Sequence, residues 1–322
     1  MNTWLFDNSS RGKLRFQGPQ AAWFLGQLLT NDVGSLRSGQ GMQALLLRPN
    51  GKIVAPMRVV GAGAELLLDT EPDKQSDLLG FFSSRIFTTQ VEIEDCTQSY
   101  ALVSVLGEKA AAVVKDALQR MTLPEEEHGA EQFGAGWLVR VIHPIGGIDI
   151  WVRRDHKQDL MARLEAAGAV TGDDRTRRDI EVASGTPQFG VDYDESFLPQ
   201  EAAMEKAVHF EKGCYLGQEA VAMAQRGRLR RRLRRIVFEE GLATGDVVFE
   251  DQPAGTVTSA VSHEGKGFGI GVVSTAVPIG ATVTVGGTAG AVIEELPGTH
   301  TGPERPSARR LREQLQGQAE VR

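Results

Sequence analysis

The residues best suited to chemistry lie in one stretch, His209-Phe210-Glu211-Lys212-Gly213-Cys214-Tyr215-Leu216-Gly217-Gln218-Glu219, which holds one of the chain's two cysteines. From Gln218 onward the sequence reads as the opening of a helix. A cysteine just ahead of a helix start sits near unpaired backbone N–H groups and the positive end of the helix dipole. The Lys212 ammonium adds to that field, and such surroundings favour thiolate over thiol. The same residue types also describe a small buried hydrophobe, so the stretch alone leaves both readings open. His209 is a weak partner base, because a spacing of five from Cys214 puts the two on neither a strand face nor a helix face.

Other candidates are more diffuse. Glu181, Asp192, Asp194, Glu195, Glu201, Glu205 and Glu219 cluster around a polar region. A carboxylate facing a pocket accepts two hydrogen bonds side by side and suits a ligand ring with adjacent N–H donors. Arg226–Arg235 (RGRLRRRLRR) carries seven arginines in ten residues. It reads either as a grip on a polyanion, such as nucleic acid or a polyglutamate tail, or as the first strand of a barrel with snorkelling side chains. No aromatic residue interleaves it and the chain is acidic, so nucleic acid is the weaker partner. Metal binding is not expected: Cys96 and Cys214 are far apart, the six histidines are scattered, and two cysteines cannot ligate a four-cysteine cluster. The G-x-G pairs at Gly61/Gly63 and Gly134/Gly136 lack a strand–turn–helix context and read as turns.

Positioning such residues takes a scaffold, and its outline is an α+β pattern of hairpins and helices. Strands are expected at Lys13–Phe16, Gln43–Leu47, Ile53–Val60, Glu65–Asp69, Thr89–Glu94, Tyr100–Leu106, Trp137–Ile142 and Ile148–Val152. Asn50-Gly51 between two of these marks a hairpin, and Pro144-Ile145-Gly146-Gly147 marks a second. Helices are expected after Gly18-Pro19, with Pro19 near the first helical position, and over Asp73–Phe87, Glu108–Arg120, Asp155–Ala167 with Asp155 as N-cap, and Asp173–Ala183. Thr186–Gln200 is irregular, a type of segment that lines sites when a scaffold holds it. From Leu229, short strands punctuated by glycines at 245, 255, 267, 271, 280 and 286–287 outline a small antiparallel barrel. The divisions expected are an α+β region over 1–228, the barrel over 229–298 and a polar tail over 299–322.

Bulk properties agree with a soluble globular protein. The 322 residues carry 41% hydrophobic and 24% charged side chains, with net charge −7 from 35 Lys+Arg and 42 Asp+Glu. No apolar run approaches the roughly 18–20 residues of a membrane span, so no membrane partner is expected. Met1–Asp7 has no basic-then-apolar leader, and the cytoplasm is the expected compartment.

Lys212-Gly213-Cys214-Tyr215-Leu216-Gly217-Gln218-Glu219 resembles the K-G-C-[YF]-x-G-Q-E signature of the YgfZ-type folate-binding proteins, relatives of the glycine-cleavage aminomethyltransferase. Phe24–Val33 (FLGQLLTNDV), Arg178–Pro187 with Gly190-Val191-Asp192, Pro199-Gln200-Glu201 and Gly255-Thr256-Val257-Thr258-Ser259 resemble further blocks of that family, in the same order. The resemblance implies a three-lobed fold around a central channel: two intertwined α+β lobes, one of them ferredoxin-like, and a C-terminal antiparallel β-barrel. It implies tetrahydrofolate in the channel, with Glu181 gripping the pterin and Asp192, Asn31 and Arg226 on the cofactor side. Lys212, Gly213, Tyr215, Gly217, Gln218 and Glu219 then frame Cys214 as the working thiol. One departure matters. The aminomethyltransferase carries G-x-I-x-D-D after its first hairpin, whereas this chain has Gly51-Lys52-Ile53-Val54-Ala55-Pro56. Loss of that acid and gain of Cys214 imply a folate-dependent helper in iron–sulfur protein assembly or repair, with client or assembly proteins as partners. The alternative is a folate-dependent aminomethyl transferase or demethylase.

Overall fold

The computed structural model describes residues 2–134, 136–141, 146–227 and 229–297; the expected tail over 299–322 and most of the second hairpin's turn lie outside them. Six helices stand among the described residues: α1 Ala21–Leu28, α2 Gln75–Ser83, α3 Ala110–Leu118, α4 Lys157–Ala166, α5 Asp174–Ala183 and α6 Gln218–Arg226. The strands form three sheets. The first runs, in spatial order, Gly41–Leu47, Ile53–Ala62, Glu65–Thr70, Gly12–Gln17 and Glu92–Asp95. The second runs Val170–Thr171, Trp4–Asp7, Tyr100–Leu106, Gly147–Arg153, Gly136–Val141 and Ala130–Phe133. The third is a closed antiparallel barrel of six strands within 231–294.

Two-residue periodicity explains how the two open sheets stack. Ala55, Met57, Val59, Leu66 and Leu68 turn one face of the first sheet toward α1 and α2, while Val60, Ala62 and Leu67 turn the other toward Leu102, Val139 and Trp151 of the second. The far face of the second sheet puts Val103, Val105, Ile148 and Ile150 on α3 and α4. These strands are buried on both faces, which is why they read as continuous apolar runs. Each valine, leucine, isoleucine or methionine so buried contributes about 1.5–3 kcal/mol.

The second lobe is ferredoxin-like. Tyr100–Leu106, α3, Gly136–Val141, Gly147–Arg153, α4 and Val170–Thr171 follow the β-α-β-β-α-β order. The N-terminal strand Trp4–Asp7 is wedged between the last and first strands of that unit, parallel to one and antiparallel to the other. The chain therefore begins in the second lobe, builds the first and returns, so the two lobes are intertwined.

At one end of the sheet–sheet seam the same faces change from apolar to charged. Arg58, two residues before Val60, bridges Asp69 at 2.7 Å and Asp149 at 2.8 Å. Arg11 closes on Asp69 and Glu71 at 2.9 Å, and Asn8 donates to Ser104 at 2.6 Å. Burial alone would push the Asp69 carboxyl up; Arg58 and Arg11 hold it below its ordinary value.

Several local expectations shift. α1 starts at Ala21, two residues beyond Pro19, with Gln20 as N-cap. Asp155 does not cap α4: it lies inside a 3-10 turn, Arg154–His156, and His156 occupies the cap position. The Asp155 carboxylate there is exposed, and the Lys157 N–H already bonds to the Arg154 carbonyl of the preceding turn. Asp173 does cap α5, accepting from the Thr176 N–H at 2.7 Å.

Candidate functional site

The cysteine turn is built on the end of α1. Thr30 Oγ1 donates to the Ala207 carbonyl at 2.6 Å and accepts from the Leu45 N–H at 2.8 Å. Asn31 Nδ2 donates to the carbonyls of Gln43 and Lys206 at 2.7 and 3.2 Å, and the His209 N–H reaches the Thr30 carbonyl at 3.0 Å. The Thr30-Asn31 pair thus pins residues 206–209 to the first sheet, and Asn31's amide donors are spent in doing so.

Lys212 completes the attachment. Its ammonium donates to the carbonyls of Gly26, Leu29 and Asn31 at 2.6, 2.6 and 2.9 Å, the first two being acceptors at the C-terminal end of α1. An ammonium has three donors, so none remains for Cys214. Burial lowers the Lys212 pKa to about 8, with Asp32 opposing. Tyr215 is buried, with its ring centroid 5.2 Å from that ammonium, and burial pushes its hydroxyl up to about 12.

Gly217 caps α6 in the left-handed region at φ 83°, and a Cβ there would stand 2.5 Å from the Arg48 carbonyl oxygen. Only glycine fits, because α6 starts against the Arg48–Gly51 turn. Gln218 Nε2 donates to the Lys212 carbonyl at 3.4 Å and Glu219 is exposed in the first turn. Gly213 faces open space, and the Cys214 thiol is exposed. The lysine's hydrogen bonds go to the end of α1, and Cys214 stands three residues ahead of the α6 cap, just before the helix start as the sequence suggests. Among the described residues no hydrogen bond joins His209 to Cys214.

Glu181 lies on α5, where the lobes and the barrel meet. Arg177 and Arg178 precede it by four and three residues, on the same helical face. Arg177 Nη1 donates to Asn8 Oδ1 at 2.6 Å. Arg178 Nη2 donates to Asp192 Oδ2 at 2.6 Å and to Ser259 Oγ. The nearest approaches to the Glu181 carboxylate are 3.9 Å from Arg177 and 3.7 Å from Arg178, beyond hydrogen-bond reach. Among the described residues no donor engages it. Burial raises the Glu181 pKa, with Arg177 and Arg178 pulling the other way and Glu71 and Asp192 reinforcing the rise.

Asp192 is differently employed. Its side chain is 0% exposed and accepts from Arg178, the Gln188 N–H at 2.7 Å, Thr258 at 2.8 Å and Ser259 at 2.7 Å. A bulge between Val257 and Ser259 delivers two consecutive hydroxyls to one carboxylate oxygen. The sequence blocks around Arg178, Asp192 and Thr258-Ser259 are therefore one joint, fastening α5 and the irregular segment to the barrel.

The arginine strip is likewise internal along its strand. Arg231 pairs with Glu201, Arg232 with Glu205, and Arg234 with Glu295. Arg235 donates to the Ala183 carbonyl at 2.7 Å and covers the Phe268 ring at 4.6 Å. Arg226 stands exposed at the end of α6. At the departure after the first hairpin, Ala55 enters the α1/α2 core, while Pro56 shares the strand face of Arg58 and Val60. A hollow of about 340 Å³ lined by Arg15, Tyr100, Arg153 and Arg154 includes neither Glu181 nor Cys214. Among the described residues no cluster of histidine, cysteine and carboxylate fits a metal ion, and no helix is long and apolar enough to cross a membrane.

Sequence reasoning missed Asn8, the Arg177–Asn8 bond and the buried Arg58 network, whose partners lie up to 169 residues apart. The one available signal was the charged Arg58 and Asp69 inside otherwise apolar strands.

Residues 2–212 match the family model described as the GCVT N-terminal domain, and the chain belongs to that family. An aminomethyltransferase of Rubrobacter xylanophilus is 29% identical over 282 residues, covering 83% of this chain and 74% of that protein. The crystal structure of the glycine cleavage system aminomethyltransferase T from Bartonella henselae superposes with a TM-score of 0.83 at 19% identity, covering 92% of this chain and 86% of that one. At that identity the likeness establishes the three-lobed fold.

Proposed function

We propose that this chain is a tetrahydrofolate-binding accessory protein of the YgfZ type, serving iron–sulfur client enzymes in the cytoplasm through Cys214. The observation that carries the folate half is the Glu181 carboxylate, half-buried between the lobes with both oxygens clear of protein donors. A pterin presents two N–H donors side by side, which a carboxylate accepts as a pair; the residues fit that ligand. Bound tetrahydrofolate supplies a carrier for one-carbon units. Glu181 would orient its ring, Asp192 would hold Arg178 in register, Asn31 would brace the cysteine turn, and Arg226 would meet the acidic tail. On this reading the folate region spans 1–228 and the barrel 229–298.

The thiol half rests on the exposure of Cys214 and on the rigid turn that Lys212 and Gly217 hold beneath it. Pro56 supplies no acid where the aminomethyltransferase pattern has one, which argues against aminomethyl transfer. The aminomethyltransferase relative keeps a second reading in view, a folate-dependent one-carbon transferase.

Tetrahydrofolate should raise the melting temperature of the purified protein; no shift removes both folate readings. Cys214→Ala should fail to restore client-enzyme activity in a deletion strain, and full restoration would remove the thiol mechanism. Methylene transfer from a methylated amine to tetrahydrofolate would promote the transferase.

A further inference from the structure

Two arginines flank Glu181 on its own helix, and neither bonds to it. Arginine and glutamate at i,i+4 or i,i+3 are neighbours on a helix and attract one another, more strongly where they are partly buried. Here each guanidinium is drawn outward by a different part of the molecule. Asn8, in the turn that joins the two lobes, takes Arg177 Nη1 at 2.6 Å and leaves Nε 3.9 Å from Glu181. Asn8 is itself oriented by its other amide group, which donates to Ser104 at 2.6 Å. Asp192 and the barrel's Ser259 take Arg178 Nη2, leaving Nη1 3.7 Å from Glu181. That Nη1 is buried and has no hydrogen-bond partner among the described residues. Orphaned buried donors are rare in folded proteins. This one lies just out of reach of a carboxylate that would satisfy it.

We propose that Asn8 and the Asp192–Ser259 pair are positioning residues that hold Arg177 and Arg178 off Glu181, keeping both carboxylate oxygens free for a ligand that offers paired N–H donors. The inference rests on the folate-site reading for the identity of that ligand, but not for the hold-off itself. Without the two anchors, the arginines close on Glu181, occupy its lone pairs and leave the ligand to compete with an internal ion pair. The charged groups acting on Glu181 are Arg177 and Arg178 from α5, Glu71 from the turn before α2, and Asp192 from the irregular segment. Only the two arginines move in the variants below.

The hold-off is read without ligand, by following the Glu181 side-chain carboxyl through a pH titration with carbon-13 NMR on the full chain. Asn8→Ala should move its midpoint to lower pH as Arg177 closes in. Ser259→Ala, which removes one of the two anchors on Arg178, should move it the same way by less, and it serves if Asn8→Ala does not fold. Asn8→Asp keeps an oxygen for Arg177 but adds a negative charge and gives up the donor to Ser104, so it should move the midpoint to higher pH, opposite to Asn8→Ala. Tetrahydrofolate binding by calorimetry at pH 7 should weaken about tenfold in Asn8→Ala, the loss expected for one charge-assisted hydrogen bond, and little in Asn8→Asp. A Glu181 titration unmoved in both Asn8→Ala and Ser259→Ala overturns the inference. Wild-type protein that does not bind tetrahydrofolate overturns the folate reading instead, and the titration still decides the hold-off.

Discussion

Asp192→Ala strikes the joint that fastens the Glu181 helix to the barrel. The carboxylate is fully buried and accepts from Arg178 at 2.6 Å, the Gln188 N–H at 2.7 Å, Thr258 at 2.8 Å and Ser259 at 2.7 Å. Alanine leaves the Arg178 guanidinium, 21% exposed, without its nearest counter-charge. Removing one member of a buried, hydrogen-bonded ion pair costs about 3–5 kcal/mol. The Thr258 hydroxyl finds another acceptor cheaply: its single hydrogen can turn from Asp192 to the Ile270 carbonyl, 3.0 Å away. Arg178 recovers part of its loss by closing the 3.7 Å gap between its Nη1 and Glu181. The net loss should be about 3 kcal/mol, a large share of the ~5–15 kcal/mol that holds a typical domain together. Thr258→Val removes one of four donors to a carboxylate that keeps three and should cost only about 1 kcal/mol. Urea denaturation followed by circular dichroism measures both, provided the slope with denaturant is unchanged. A loss below about 1 kcal/mol for Asp192→Ala, or equal losses for the two variants, refutes the reasoning.

Thiol titration of the native protein should find one fast-reacting group, Cys214; Cys96, 1% exposed and pushed up to about 11 by burial, should react only on unfolding. Two fast thiols in the folded state would contradict the burial of Cys96. Because burial raises the Glu181 pKa above its ordinary value of 4.5, that carboxyl's contribution to stability is full below pH 4.5 and is lost as pH rises through the folded value. Glu181→Gln should therefore melt higher than wild type at pH 7, with the advantage shrinking toward pH 4; an equal or lower melting point at pH 7 would sink this. Gly217→Ala forces a left-handed backbone costing about 1–2 kcal/mol and sets a methyl 2.5 Å from the Arg48 carbonyl. It should lose at least about 2 kcal/mol in urea and make residues 209–217 the first site of proteolysis, whereas wild-type resistance would mean that the turn yields easily.

Much of the architecture is legible in the sequence because its cues are local. Asn50-Gly51 marks the first hairpin, the regular glycines mark the barrel, and two-sided apolar runs mark strands buried between layers. What escapes is non-local. Trp4–Asp7 is four residues long with no alternation, and it becomes a strand because the ferredoxin-like unit leaves a slot for it. In the site, residue type picks out Cys214 and Lys212, and Glu181 stands apart from the other carboxylates only through the family resemblance; the hydrogen bonds of Lys212 are not legible in the sequence. The charge sits two residues from the cysteine along the chain, but in space it serves the end of α1. Asp192 and Thr258-Ser259 read as separate blocks, and only the folded chain makes them one hydrogen-bonded joint.

The most direct test of the folate site is calorimetric titration of the full chain with tetrahydrofolate under anaerobic conditions, comparing wild type, Glu181→Gln and Cys214→Ala. Wild type and Cys214→Ala should bind alike, and Glu181→Gln at least about tenfold more weakly, since an amide facing two N–H donors accepts only one of them. Equal binding by wild type and Glu181→Gln, or none by wild type, would contradict the account.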